Sequence, residues 1–476
     1  MRPSIVWFRR DLRLSDHPAL DAAVRRGGAV IPVFVWAPDE ESPWPPGAAS
    51  RWWLHHSLAA LDADLRARGA RLVLRAGPSG RALAALARET GANAVFWTSL
   101  VEPAAVARDA AVRESLEAIG LETHAAPPDL LFDPQAARSG AGRAYQVFTP
   151  WYAACLRLPP PEKPFPAPRH IPAPARWPAS LNLASLGLLP RTDWAGGLRE
   201  TWTPGEAGAR ERLGRMLRKG LRDYSASRDM PARAGTSRLS PHLHWGEMGP
   251  RQIFHAVRES SGARPGTGAR EFVRQLGWRD FAHYLLVHFP RTTDAPLRLA
   301  YRRFPWRHDA DGLQAWQRGR TGYPIVDAGM RELWHTGWMH NRVRMIVASF
   351  LVKDLLLSWR EGARWFWDTL VDADLANNTL GWQWAGGCGA DAAPYFRIFN
   401  PVSQGERFDA GGAYVRRWVP ELARLPADWI HRPWEAAPQV LRAAGVELGR
   451  TYPLPIVDHG AARRRALQAL ASLRRT

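Results

Sequence analysis

Ser4-Ile-Val-Trp-Phe-Arg-Arg-Asp-Leu-Arg-Leu14 opens the chain with a short apolar run, Ile5 to Phe8, followed at once by Arg9, Arg10, Asp11 and Arg13. Such a run suits a fully buried strand of a parallel sheet, and it is too brief for the apolar core of a secretory leader, which points to a cytoplasmic protein. Val30 to Trp36, Leu72 to Leu74 and Ala94 to Trp97 repeat the pattern, separated by helix-like stretches. Between about Ala48 and Arg68, for example, Trp52, Leu54, Leu58, Leu61 and Leu65 fall near one helical face. Strand alternating with helix from residue 4 to about 126 predicts a parallel, Rossmann-like α/β domain. No Gly-x-Gly-x-x-Gly follows the first strand, so a dinucleotide site of that kind is not supported.

Downstream the pattern changes twice. Leu158 to Pro178 is too dense in proline for helix or central strand and reads as an extended linker. After about residue 205, long helical periods dominate. Val343, Ile346, Val347, Phe350 and Asp354 recur at three-to-four spacing and predict one helix from about His340 to Trp359. The expected organisation is an α/β domain over 1–130, a long Pro-rich linker over 131–204 and an all-α domain over 205–476.

Composition narrows the function classes. A chain of 476 residues, 46% hydrophobic, exceeds what one core usually organises, which agrees with two domains. No run reaches the roughly 18 apolar residues of a membrane span, because Lys353 and Asp354 end the run from Met345. Cys155 and Cys388 are the only cysteines and lack metal-ligand spacing, so no disulfide framework or metal site is expected. The net charge of +19 favours a polyanion partner, although an Arg-rich, Ala-rich genome would give the same sign. The 24 tryptophans suit stacking on bases and electron transfer, while most must simply be core.

Two segments of the helical half carry candidate chemistry. Gly235-Thr-Ser-Arg-Leu-Ser240-Pro offers hydroxyls, backbone N–H groups and a guanidinium in a turn that could hold a diphosphate; read alone, it is more readily a Ser/Thr helix cap. Asp372-Ala-Asp-Leu-Ala-Asn-Asn378 places two carboxylates and an amide within two helical turns, and equally reads as a capped helix start.

These segments stand beside Trp278-Arg-Asp280, Gly322-Tyr-Pro-Ile-Val-Asp-Ala-Gly-Met-Arg331, Gly337-Trp-Met-His-Asn-Arg-Val-Arg-Met345, Gly381-Trp-Gln-Trp384 and Asp391-Ala-Ala-Pro-Tyr-Phe-Arg-Ile-Phe-Asn-Pro401. Together with Trp7 to Arg13 they closely resemble the photolyase/cryptochrome family, and most of all its class I cyclobutane pyrimidine dimer photolyases. The resemblance implies an α/β antenna domain and a helical domain that binds FAD in a folded shape. It assigns Tyr224, Thr236, Ser237, Arg238, Leu239 and Ser240 to the phosphates and ribose. Arg279, Asn341, Arg344, Asp372, Asp374 and Asn378 fall to the rest of the cofactor, with Asn378 beside flavin N5. Trp382, Trp359 and Trp306 match a chain that relays electrons to photoexcited flavin. Arg228, Gln275, Trp278, Asn341, Arg342, Met345, Trp384, Arg397 and Gln404 match the contacts to damaged DNA, with Trp278 and Trp384 as aromatic walls of the lesion pocket.

The same resemblance bears on the substrate. Relatives that repair the (6-4) photoproduct carry histidines where this chain has Asn341 and Met345. Splitting a cyclobutane dimer needs only an electron lent and returned, which an amide and a thioether permit. Gln275 departs from the glutamate usual in cyclobutane-dimer enzymes; it donates a hydrogen bond to a pyrimidine carbonyl but supplies no proton. An antenna chromophore, methenyltetrahydrofolate or 8-hydroxy-deazaflavin, is implied by the family but not chosen by Leu100 or by Glu102-Pro-Ala-Ala. The expected protein is thus a monomeric enzyme acting on UV-damaged DNA. The alternatives are a blue-light receptor without repair, against which Asn378 weighs, a (6-4) photolyase, and a DNA-binding flavoprotein without photochemistry, which has no use for three aligned tryptophans.

Overall fold

The computed structural model describes residues 1–138, 142–262, 264–392 and 396–473. Five strands, β1 (Ser4–Phe8), β2 (Val30–Trp36), β3 (Val73–Ala76), β4 (Ala94–Thr98) and β5 (Glu122–Ala126), form one sheet in the order β3-β2-β1-β4-β5. Every pairing is parallel, and Trp7 lies opposite both Val33 and Trp97. Helices α1 (Pro18–Arg26), α2 (Ala48–Arg66), α3 (Ser79–Thr90) and α4 (Pro103–Glu117) connect them. On one face, Leu83 and Leu86 of α3 and Val112 and Leu116 of α4 pack on Ile5, Trp7, Val33, Val95 and Trp97. Burial on both faces explains why β1, β2 and β4 read as unbroken apolar runs. The edge strand β5, Glu-Thr-His-Ala-Ala, is exposed to half-buried and carries no such signal in the sequence.

Residues 158–182 contain no helix or strand. Their backbone nonetheless pairs along the α/β domain: Val30 N–H donates to Pro172 O at 2.8 Å, Ile171 N–H to Arg68 O at 2.9 Å and Leu181 N–H to Leu74 O at 3.0 Å. A proline-rich stretch keeps its carbonyls and the N–H groups of its other residues, so Pro172 accepts while Ile171 and Leu181 donate.

The remainder is helical. Its relevant elements are α5 (Phe148–Cys155), α6 (Tyr224–Ser227), α7 (Ser240–His244), α8 (Thr267–His288), α9 (Asn341–Ser349), α10 (Trp359–Thr369), α11 (Leu375–Gly386), α12 (Pro401–Phe408) and α13 (His459–Ser472). The single helix expected from 340 to 359 is corrected to two. α9 widens into a π-helical turn at Phe350–Asp354, Leu356 takes a left-handed φ of 58°, and Ser358 caps α10 by accepting from Arg360 N–H. The apolar stripe itself stands, with Val343, Ile346, Val347 and Phe350 buried. Asp354, buried at its end, pairs with His459 at 2.5 Å. Both cysteines are buried and free. Among the described residues no helix is long and apolar enough to cross a membrane, and no group of side chains could hold a metal ion.

The chain divides into two compact units. The first comprises Met1–Leu221, Ser237–Pro290 and Val371–Leu375; the second comprises Arg222–Thr236, Arg291–Leu370 and Ala376–Thr476.

Candidate functional site

In the first unit, the charges that follow β1 are buried rather than solvated. Arg9 pairs with Asp109, Arg10 with Glu102 and Glu41, and Arg13 with Asp129. Gly246, at φ +63°, lies so close to this loop that a Cβ would come within 2.0 Å of Arg10 O. Only glycine meets both demands.

Ser237, Arg238, Leu239 and Ser240 form a turn leading into α7. Ser237 Oγ accepts from Leu239 N–H at 3.4 Å, and Arg238 adopts φ +53°. A left-handed conformation costs a non-glycine residue about 1 kcal/mol or more, and such strain gathers where a site needs it. Nearby, burial and then Arg238 and Arg215 push the Arg212 guanidinium down to about 10. The hydroxyls of Ser237 and Ser240, the backbone N–H groups of the turn and the Arg238 guanidinium are a donor set that fits a diphosphate.

Asp372 and Asp374 are buried and precede α11 instead of lying within it. His283 Nε2 of α8 stands 3.3 Å from Asp374 and His244 Nδ1 of α7 stands 3.8 Å away. Burial pushes the Asp374 carboxyl up, but His283 and then His244 outweigh it and hold the group well below the usual carboxylate range. Arg279 donates to Asp129 O at 3.0 Å.

Gln275 and Trp278 lie three residues apart on α8, so they share one face. Gln275 Nε2 donates to Glu271 O at 3.0 Å. Phe148 of α5 stacks on Trp278 with ring centroids 3.8 Å apart and planes 9° off parallel. Gly277 allows Tyr152 to close in, since a Cβ there would lie 2.6 Å from its ring.

In the second unit, Tyr224 begins α6 and is buried under Arg228, whose guanidinium lies 5.5 Å from the ring centroid. Gly235, just before Thr236, is pressed against Ser227, whose oxygen would be 2.4 Å from an added Cβ. Asn341, exposed, and Met345, half-buried, share a face of α9 at four-residue spacing. Arg342 is engaged: it pairs with Asp229 at 3.0 Å and lies over Phe408 at 4.4 Å. Arg344 Nε donates to Met339 O at 2.8 Å. Trp384 is half-buried with its ring 6.3 Å from Phe399, and Gln404 is half-buried on α12. Arg397 is described, but Ala393, Pro394 and Tyr395 of its motif lie outside the described residues.

Asn378 Nδ2 donates to Ala363 O of α10 at 3.1 Å, which fixes the amide and leaves its carbonyl oxygen as the available acceptor. Trp382 lies on Gly362 of α10, and Trp359, one turn earlier, borders Gly386 at the end of α11. An isolated backbone bridge between Arg307 and Leu357 brings the residue after Trp306 beside the residues that lead into α10. Trp382 and Trp359 are buried and Trp306 is half-buried, an order that runs from core toward surface.

Sequence reading missed Phe148, Asp229, His283 and Gly362. Only Gly362 left a signal, because an isolated glycine inside a helical pattern costs about 1 kcal/mol against alanine and needs a packing reason.

Comparison with known proteins bears on the family and the fold. The family model described as "DNA photolyase" matches residues 4–169, and "FAD binding domain of DNA photolyase" matches residues 272–472. A deoxyribodipyrimidine photo-lyase of Agrobacterium fabrum is 49% identical, over 100% of this chain and 98% of its own length. Cryptochrome-1 of Arabidopsis thaliana is 43% identical, over 99% of this chain and 70% of its own. The crystal structure of a bacterial class III photolyase from Agrobacterium tumefaciens superposes with a TM-score of 0.97 at 48% identity, covering 100% of this chain and 98% of that one. An FAD-binding chain with this sheet, these motifs and these relatives belongs to the photolyase/cryptochrome family.

Proposed function

We propose that this protein is a deoxyribodipyrimidine photo-lyase that splits cyclobutane pyrimidine dimers in UV-damaged DNA, acting as a cytoplasmic monomer. The observation that carries the reading is the anchored amide of Asn378, which offers the flavin edge an acceptor and no titratable proton. Such a group suits a cofactor that works fully reduced. When bound and reduced, FAD supplies one electron to the dimer on absorbing blue or near-ultraviolet light and recovers it after the cyclobutane opens.

The chain's own residues do the rest. Ser237, Arg238, Leu239 and Ser240 would hold the diphosphate, with Arg212 near Arg238; the resemblance adds Tyr224 and Thr236 to that end and gives Asp372, Asp374, Arg344 and Asn378 the task of orienting the ring. Trp382, Trp359 and Trp306 conduct electrons inward when the cofactor is oxidised. Trp278, braced by Phe148, offers an aromatic face to a flipped dinucleotide, and the resemblance gives Trp384 the same role; extrusion of the dinucleotide costs a few kcal/mol, as is generally noted for photolyases. Arg228, Arg342 and Arg397 meet phosphates and position the duplex without reading its sequence. Asn341, Met345 and Gln275 give no acid able to donate and recover a proton, which a (6-4) adduct requires. Functionally, the antenna domain spans 1–130, the linker 131–204 and the catalytic domain 205–476. The Agrobacterium structure is that of a class III photolyase, whereas the motifs of this chain resemble class I enzymes; the lesion chemistry argued from Asn341, Met345 and Gln275 is independent of that division.

The test is repair of both lesions side by side under blue light with reduced protein. Cyclobutane thymine dimers should revert to thymines and (6-4) photoproducts persist; (6-4) repair without dimer repair overturns the substrate, and no repair with normal flavin content favours the light-receptor reading that the Arabidopsis relative suggests. The absorption spectrum of the same sample decides the antenna, by a strong near-ultraviolet or violet band beside the flavin bands.

A further inference from the structure

Where the sheet order reverses, outside the carboxyl ends of β1 and β4, the first unit encloses a cavity of about 40 Å³. It is lined by Arg10, Glu102, His244, Arg279, His283 and Asp374, among others. That volume holds roughly two or three waters. One wall already calls for a water: His244 Nδ1 is buried with no hydrogen-bond partner, and Asp374, 3.8 Å away, is too far for a direct bond. The opposite wall leads outward. Arg10 binds buried Glu102 with one nitrogen and the partly exposed Glu41 with the other, and Ser99, Leu100 and Val101 beside them are half-buried.

The chemistry proposed above creates a need that this cavity meets. Converting oxidised FAD to its anionic, fully reduced form adds two electrons and one proton. The electrons arrive singly through Trp382, Trp359 and Trp306, each vacancy being refilled by a thiol in solution. The proton needs another origin, because the amide of Asn378 has none to release.

We propose that Glu102, the water cavity and His283 form a proton inlet serving Asp374, and through it the flavin. The inference rests on the assignment of Asp374 to the flavin edge. The proton on His283 Nε2 crosses 3.3 Å to the Asp374 carboxylate and moves on to the ring, and His283 is reloaded from cavity water, which draws on Glu102 and solvent. His283 and Glu102 act through Asp374 and are positioning and relay residues.

The charges facing His283 set its loading. Burial lowers its pKa, but Asp374 overcomes this and raises it, against Arg279 on the same helix. Burial raises Glu102, but Arg10 and His283 lower it against Asp374, so it remains an ionised acceptor. Asp280 on α8 adds negative charge when ionised, and His244 faces the same carboxylate. A raised histidine is loaded with its proton at the lower end of the pH range and empties as pH rises through its pKa.

The experiment follows proton uptake with an indicator dye during photoreduction of the flavin-loaded protein, using a thiol donor. Each thiol electron also sheds a proton to solvent, so wild type should release two protons and take up one per FAD, the uptake being the slower component, with a rate that falls as pH rises. His283→Gln should slow uptake at least tenfold and lose the pH dependence, while the flash-induced tryptophan radical still forms at the wild-type rate. Glu102→Gln should slow uptake, with Glu102→Asp recovering part of it, and leave repair by pre-reduced protein unchanged. Uptake at the wild-type rate in His283→Gln overturns the inlet. If either variant fails to fold, a crystal structure of the wild type resolving waters decides: ordered waters bridging Glu102 to His283 support it, and a dry cavity overturns it. Failure of the flavin assignment shows itself separately, as protein that purifies without flavin.

Discussion

The ring of Trp382 rests on Gly362, so closely that a Cβ at position 362 would come within 2.0 Å of it. Helix α10 therefore carries Trp359 and, one turn later, the seat of Trp382. Gly362→Ala should push Trp382 out of this position and lower the photoreduction yield several-fold, while pre-reduced protein still repairs dimers. Steady-state photoreduction of both proteins checks this; a normal yield in the variant would show that the relay does not depend on this packing.

Trp382→Phe removes the relay's inner member without disturbing its seat. Photoreduction of oxidised FAD should be abolished, and repair after chemical reduction retained.

Phe148 stacks on Trp278 at 3.8 Å and is itself fully buried, so alanine there would open a cavity as well as remove the stack. Phe148→Leu is the cleaner probe. Losing the aromatic pair, worth about 1 kcal/mol, should weaken dimer binding about fivefold with the repair rate of bound dimer unchanged. Titration of dimer-containing oligonucleotide measures it.

Arg342 is held by Asp229 at 3.0 Å, so a phosphate competes with a carboxylate for this guanidinium. Asp229→Asn should therefore tighten DNA binding. Arg342→Ala should weaken it and flatten the plot of log K against log salt by about one unit. Affinities at several salt concentrations decide; an unchanged slope in Arg342→Ala removes that residue from the phosphate contacts.

Asp280 accepts from Leu131 and Phe132 N–H at 2.7 and 3.0 Å, yet burial, opposed by Arg279 and His283, pushes its carboxyl from 3.8 up to about 6. Folding then favours the protonated form. The stability it contributes is full below about pH 4 and is lost as pH rises through about 6, by at most about 3 kcal/mol. Asp280→Asn keeps an acceptor for the two N–H groups and cannot ionise, so its stability should rise relative to wild type between pH 4 and 7. Urea unfolding of both proteins across that range tests the sign.

The linear sequence determined the parallel sheet and the helical character of the second half, because strands buried on both faces must be apolar throughout and amphipathic helices must repeat at 3.6 residues. Its motifs were also specific enough to name the family. It could not determine where α9 ends, since the apolar stripe continues through the π-helical turn and only the left-handed Leu356 and the Ser358 cap break the helix. Nor could it tell that Arg9, Arg10 and Arg13 are buried in ion pairs rather than part of a basic surface. Their carboxylate partners, Asp109, Glu102 and Asp129, lie about a hundred residues away, and such pairs exist only once the chain has folded. The same holds for His283 beside Asp374 and Phe148 on Trp278: each is an ordinary residue in sequence, given its role by a neighbour that tertiary structure alone supplies.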